Sequence, residues 1–183
     1  MTDMKAQLGA RFPGLPACPA NNHFTSIAEL YGQYQAKLEG VCFVDPCGQK
    51  NWFCPENFPH LVKLEFFDLK QRRWVDASAK VVIEQLRNKS LDESRYRIGD
   101  ASRPRTLLWI PEIIAAPDSI HDNIRNNSTE VYAKRYSRSS GAELKIVLVE
   151  TRRGGMRVVK TSFWSHEKYH SACIRLPAKH PIP

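Results

Sequence analysis

Three β-rich runs follow one another in the C-terminal third with only short breaks between them. They are residues 130–136 (EVYAKRY), 144–151 (LKIVLVET) and 156–164 (MRVVKTSFW). The breaks, Ser139-Ser140-Gly141 and Arg152-Arg153-Gly154-Gly155, carry turn chemistry. Strands joined this closely have no room for a crossover, so they predict an antiparallel meander. Strand periodicity puts Tyr132, Lys134 and Tyr136 on one face of the first run, with Val131, Ala133 and Arg135 on the other. In the third run Met156, Val158, Lys160, Ser162 and Trp164 share a face, opposite Val159, Thr161 and Phe163.

The preceding residues read differently. Ile27, Leu30, Tyr31, Tyr34 and Leu38 step at helical spacing, with Thr25 or Ser26 as cap and Gly40 as the stop. Residues 41–44 and 51–54, separated by Asp45-Pro46-Cys47-Gly48, suggest a hairpin. A helix is expected over 78–87. Another opens at Ser102-Arg103-Pro104, with Ser102 as N-cap, passes a kink at Pro111 and stops at Pro117-Asp118. Residues 1–22, rich in Pro and Gly, read as an irregular arm before one domain over 23–183. The expected fold class is α+β: N-terminal helices on one face of a small, curved antiparallel sheet, the other face free for a ligand.

The chain has 183 residues, 42% hydrophobic and 25% charged, which suits a folded domain rather than a disordered chain. The longest apolar runs, 107–110 and 146–149, fall far short of a membrane span. The N-terminus lacks an apolar signal core, so a cytoplasmic location with no membrane partner is expected. Charge is unevenly spread: residues 1–130 hold 16 Lys/Arg and 16 Asp/Glu, residues 131–183 hold 11 and 3. The excess of +8 therefore falls wholly in the C-terminal segment. That asymmetry favours an anionic partner, RNA before others.

Cysteine usage argues against a disulfide framework. Cys42, Cys47, Cys54 and His60 form C-x4-C-x6-C-x5-H, without the tight C-x2-C knuckle of structural zinc sites. Residues His166 to His170 spell H-E-x-x-H, but the strand ending at Trp164 and the prolines from Pro177 leave little room for the long helix that motif requires, so a zinc protein through this run or the Cys42–His60 cluster stays a third reading. No metal or cofactor is expected.

The order of parts, with Phe58-Pro59-His60, the helix end Pro117-Asp118-Ser119-Ile120 and the run Val159-Lys160-Thr161-Ser162-Phe163, resembles the phage-encoded branch of the barnase/EndoU/colicin/RelE-like nucleases over about residues 41–170. The resemblance implies a metal-independent ribonuclease-type fold and cleavage by ribose 2′-OH attack, leaving a cyclic phosphate. It also implies a toxin, effector or phage-borne role with a neutralising protein as possible partner. Some relatives bind without cleaving.

That chemistry needs a base, an acid and fixed cations. His60 is the first candidate, because an imidazole gives and takes protons near neutral pH and Phe58-Pro59 should pin its backbone. Lys63 lies one helical turn on. Lys134 shares its face with Tyr132 and Tyr136, a surface on which bases could stack. Arg135 points to the opposite face, so only one of the two cations can serve the same site. Thr161 or Ser162 would orient a phosphate oxygen beside Lys160, and the sequence does not choose between them. The alternative is a non-catalytic module that binds RNA or an acidic protein through the same basic sheet.

Overall fold

The structure, a computed structural model, describes residues 15–123, 126–138 and 141–165. Helix α1 (Ile27–Lys37) starts at Ser26, whose Oγ accepts from the Glu29 N–H at 3.0 Å. Its buried residues Ile27, Leu30, Tyr31 and Tyr34 are the periodic set read from sequence. Strands β1 (Cys42–Val44) and β2 (Lys50–Trp52) form the expected hairpin. Asp45 Oδ1 accepts from the Cys47 and Gln49 N–H groups at 2.9 Å each, and Gly48 takes a positive φ that an L-residue would resist.

A 3₁₀ turn (Pro55–Asn57) leads into the single-turn helix α2 (Phe58–Leu61). Strands β3 (Leu64–Asp68) and β4 (Arg73–Asp76), helix α3 (Ala79–Arg87) and strand β5 (Tyr96–Ile98) follow. Then come α4 (Ser102–Arg105), a 3₁₀ turn (Leu107–Trp109), α5 (Ile110–Ala115) and β6 (Ser119–Asp122). The chain continues through β7 (Thr129–Arg138), β8 (Gly141–Thr151) and β9 (Arg157–Ser165).

The meander forms as expected, but inside a larger sheet of order β1-β2-β9-β8-β7-β6. All neighbours are antiparallel except β2 and β9, which are parallel, so the sheet is mixed. A second, antiparallel sheet of order β4-β3-β5 was not anticipated. Its strands are three to five residues long, too short to set up a period. The α+β class holds.

The single helix expected from Ser102 is broken into α4, a 3₁₀ turn and α5. Continuing an α-helix would drive the Pro111 ring into the Leu107 carbonyl, so Pro111 sits in the first turn of a new helix instead. Asp100, not Ser102, supplies the acceptor at the start of α4, taking the Ser102 N–H at 3.0 Å and hydroxyl at 2.7 Å.

The main core lies between the helices and one face of the large sheet, where Tyr132, Tyr136, Val147, Val149 and Val159 meet Leu30, Tyr34, Phe58, Ile110 and Ile114. The opposite face is not a free surface along the meander: Val131, Ala133, Leu144 and Ile146 form a second buried cluster with Leu148 and Phe163. Within residues 15–22 the arm is irregular but tied down. Trp109 Nε1 donates to the Ala20 carbonyl, Ser137 N to Pro16 O, and Asn22 N to Arg105 O.

Candidate active site

Three separate parts of the chain meet at one edge of β9. In α2 the sequence Phe-Pro-His-Leu buries three of its four side chains, leaving His60 as the exposed one. Phe58 anchors the turn against the Tyr31 and Tyr34 rings, at centroid distances of 5.0 and 5.3 Å. The preceding Asn57 fixes the turn to the sheet: its Nδ2 donates to the Val159 carbonyl at 2.7 Å and its Oδ1 accepts from Arg152 Nη2 at 2.9 Å.

Arg103 arrives from α4. Its Nη1 donates to Thr161 Oγ1 at 2.9 Å and to the His60 carbonyl at 3.2 Å. The Thr161 hydroxyl in turn donates to that carbonyl at 3.4 Å. Asp100 steadies the guanidinium through Nε at 3.3 Å. Burial pushes the Asp100 pKa up, but hydrogen bonds from Ser102 and the Arg103 charge outweigh it and hold the carboxyl below its ordinary range. The Arg103 side chain is 19% exposed, so it still reaches solvent.

Lys63, just past α2, has its Nζ 2.5 Å from Asp76 Oδ1 and 3.6 Å from Glu65 Oε1. The Lys63 hydrogen bond lowers the Asp76 pKa. Lys63, His60 and Arg103 act the same way through space, which places Asp76 within electrostatic reach of all three. A register shift between β8 and β9 pairs Leu148 with Thr161 and Val149 with Val159, so Lys160 is the extra residue of a bulge. Lys160 Nζ bonds Glu150 Oε1 at 2.7 Å.

The fold brings together His60, Thr161, Lys63 and Arg103. Arg103 was missed in the sequence; the cue was Asp100 two residues ahead of Ser102, an acceptor poised to shape the turn that carries it. The other candidates need correction. Tyr132 and Tyr136 are 0% exposed and belong to the main core, so no base can stack on them as they stand. Lys134 is on that same face; its side chain is 11% exposed, and its Nζ donates to the Ala116 carbonyl at 2.6 Å. It lies on β7, with β8 between it and β9, a backbone separation of roughly 10 Å. Ser162 shares a row with Tyr132 and Val147 and is buried, which leaves Thr161 as the available hydroxyl. Arg135 is exposed, and its backbone N–H donates to Asp118 Oδ2 at 2.7 Å.

Charge segregation along the chain is not segregation in space. Arg152 pairs with Glu56 and Arg157 with Glu130, each at 2.5 Å, and Lys134 lies 3.9 Å from Glu112. All three carboxylates come from the charge-balanced part of the chain. Three cations of the basic meander are thus paired with carboxylates from the rest of the chain.

Among the described residues no three His, Cys, Asp or Glu side chains gather closely enough to hold a metal ion. Cys18, Cys42, Cys47 and Cys54 are free thiols. The His166–His170 motif lies outside the described residues. No helix among the described residues is long and apolar enough to cross a membrane.

The class these features define is an α+β protein with a mixed six-stranded sheet and a polar cluster of His, Arg, Lys and Thr where α2 and α4 meet strand β9. No protein-family model matches the chain, and no curated protein or solved structure matches it either.

Proposed function

We propose that the protein is a metal-independent endoribonuclease acting where α2, α4 and β9 meet. The supporting observation is that the Arg103 guanidinium and the Thr161 hydroxyl meet at the backbone carbonyl of His60, the residue whose side chain α2 leaves exposed. In this reading His60 takes the proton of a ribose 2′-OH. The freed oxygen attacks the adjacent phosphorus, the bond to the 5′-oxygen breaks, and a 2′,3′-cyclic phosphate and a 5′-hydroxyl result, the departing oxygen taking its proton from solvent. Arg103 and Lys63 offset the charge that builds on the phosphorane, and Thr161 orients one of its oxygens.

One observation favours a second reading, an RNA-binding module without cleavage: the cluster holds a single imidazole, and Lys63 is already paired with Asp76. Incubation of the purified protein with a synthetic RNA in EDTA separates the two. The first reading requires products ending in cyclic phosphate, lost in His60→Ala. Intact RNA retained on the protein supports the second.

A further inference from the structure

The small sheet has two unlike faces. Leu64, Phe66, Tyr96 and Ile98 turn to the core, and strand alternation therefore turns Glu65, Phe67 and Arg97 outward. Trp74 pairs with Phe67 across β3 and β4, and the two rings meet edge to face at 5.3 Å. The Arg97 guanidinium stands 4.5 Å from the Trp74 ring centroid. Leu69, just beyond β3, is 73% exposed, a large apolar side chain held in water beside two aromatic rings. Phe67, Leu69 and Trp74, with Ser94 and Arg95, line an open groove of about 390 Å³. Residues 63–76 and 92–97 hold six Lys/Arg against five Asp/Glu; Lys63 and Arg97 engage Glu65 and Asp76, and Glu93 accepts from the first turn of α1, which leaves Lys70, Arg72, Arg73 and Arg95 against Asp68 and Asp92.

The face is also continuous with the candidate active site. Arg97 Nε bonds Glu65 Oε2 at 2.7 Å, Glu65 lies 3.6 Å from Lys63 Nζ, and Lys63 follows His60 by three residues. Aromatic faces interleaved with arginine are the composition that holds unpaired bases: rings stack, guanidinium groups meet the backbone phosphates, and no base sequence is read. A stretch of acidic peptide would satisfy the cations but leave Phe67, Leu69 and Trp74 unused.

The geometry points to this face as the docking platform for single-stranded RNA, one strand lying across Trp74 and Phe67 with its neighbouring nucleotide delivered to His60. The inference rests on the ribonuclease reading for the direction of the strand and on the sheet alone for binding.

Fluorescence anisotropy with a short 2′-O-methylated RNA, which cannot be cleaved, tests binding apart from chemistry. Wild type should bind it, with an affinity that falls as salt is raised. Trp74→Ala should weaken it roughly 5- to 100-fold, the loss of one stacked base. Leu69→Glu and Arg95→Glu change exposed positions, so they keep the fold and should weaken binding in the same direction. The same strand annealed into a duplex should bind less well. Wild-type affinity in both Trp74→Ala and Leu69→Glu overturns the platform, as does equal affinity for duplex or capture of an acidic peptide in place of RNA. Binding that depends on Trp74 without any cleavage of unmodified RNA would keep the platform and remove the nuclease.

Discussion

Arg103 Nη1 bonds Thr161 Oγ1 at 2.9 Å across 58 residues of chain, and the same nitrogen reaches the His60 carbonyl. One guanidinium thereby fixes the backbone that carries the imidazole and the hydroxyl beside it. Arg103→Ala should lower the single-turnover cleavage rate at saturating RNA by about 10²-fold or more, the usual cost of removing a preorganised donor. Arg103→Lys should recover little, since an ammonium lacks the planar fork that serves Asp100, Thr161 and His60 together. Equal rates in wild type and Arg103→Ala would place the chemistry elsewhere.

Tyr132 makes a separate prediction, about stability. Its phenol donates to Asp45 Oδ2 at 2.5 Å and accepts from Arg157 Nη2, which also binds Glu130. Burial, then the Asp45 hydrogen bond, push the phenol pKa upward, so the donor stays protonated. Tyr132→Phe keeps the packing but leaves a buried carboxylate short of one donor, at a cost of about 1–3 kcal/mol in urea unfolding. Tyr132→Ala adds a cavity and should cost about 3–5 kcal/mol. RNA affinity should not move in Tyr132→Phe, in contrast to a residue on a stacking surface.

The elements that announce themselves locally were legible: the period of α1, the Asp45–Gly48 turn and the close-set meander. What failed was the choice of face. Tyr132-Lys134-Tyr136 alternates correctly, but alternation does not say which side is wet, and two buried tyrosines whose hydroxyls are taken by carboxylates, Asp45 and Glu112, pass for an aromatic binding surface. The bulge at Lys160 defeated strict alternation in β9, so Thr161 and Ser162 could not be told apart. His60 was legible because Phe58, Pro59 and Leu61 leave it nowhere to be buried. Arg103 and the Trp74 face were not, since the contacts that define them span dozens of residues.

Acid sensitivity should register at Asp76. The Lys63 hydrogen bond, with the nearby positive charges, sets its folded pKa below the unfolded value of about 3.9. A depressed carboxyl stabilises the fold above that unfolded value and loses the contribution as pH falls through the folded one. The side chain is 58% exposed, so the effect is small and screened by salt. The thermal midpoint of Asp76→Asn should lie below that of wild type near neutral pH in low salt. The gap should close as the pH approaches about 2. A gap that persists in acid would mean the carboxylate charge is not what stabilises this corner.

Asn57 connects stability to the site more directly. It is buried, and its amide satisfies the Val159 carbonyl while accepting from Arg152, which also binds Glu56. These bonds hold the turn entering α2 against the strand that carries Thr161. Asn57→Ala removes both and leaves Arg152 with Glu56 alone, for a loss of about 1–3 kcal/mol in urea unfolding. Asn57→Asp is the sharper variant. It keeps an acceptor for Arg152 but turns the donor toward Val159 into a second oxygen, setting a carboxylate against a carbonyl. If Asn57 only holds the fold together, both variants should cleave at the wild-type rate under conditions where each is fully folded. If it positions His60, both should lose rate under those same conditions, with KM little changed, because the imidazole shifts relative to Thr161 while the outward face of the small sheet stays intact. Circular dichroism run beside single-turnover cleavage separates the two outcomes, and a loss confined to KM would place the defect in RNA docking instead of in the position of the imidazole.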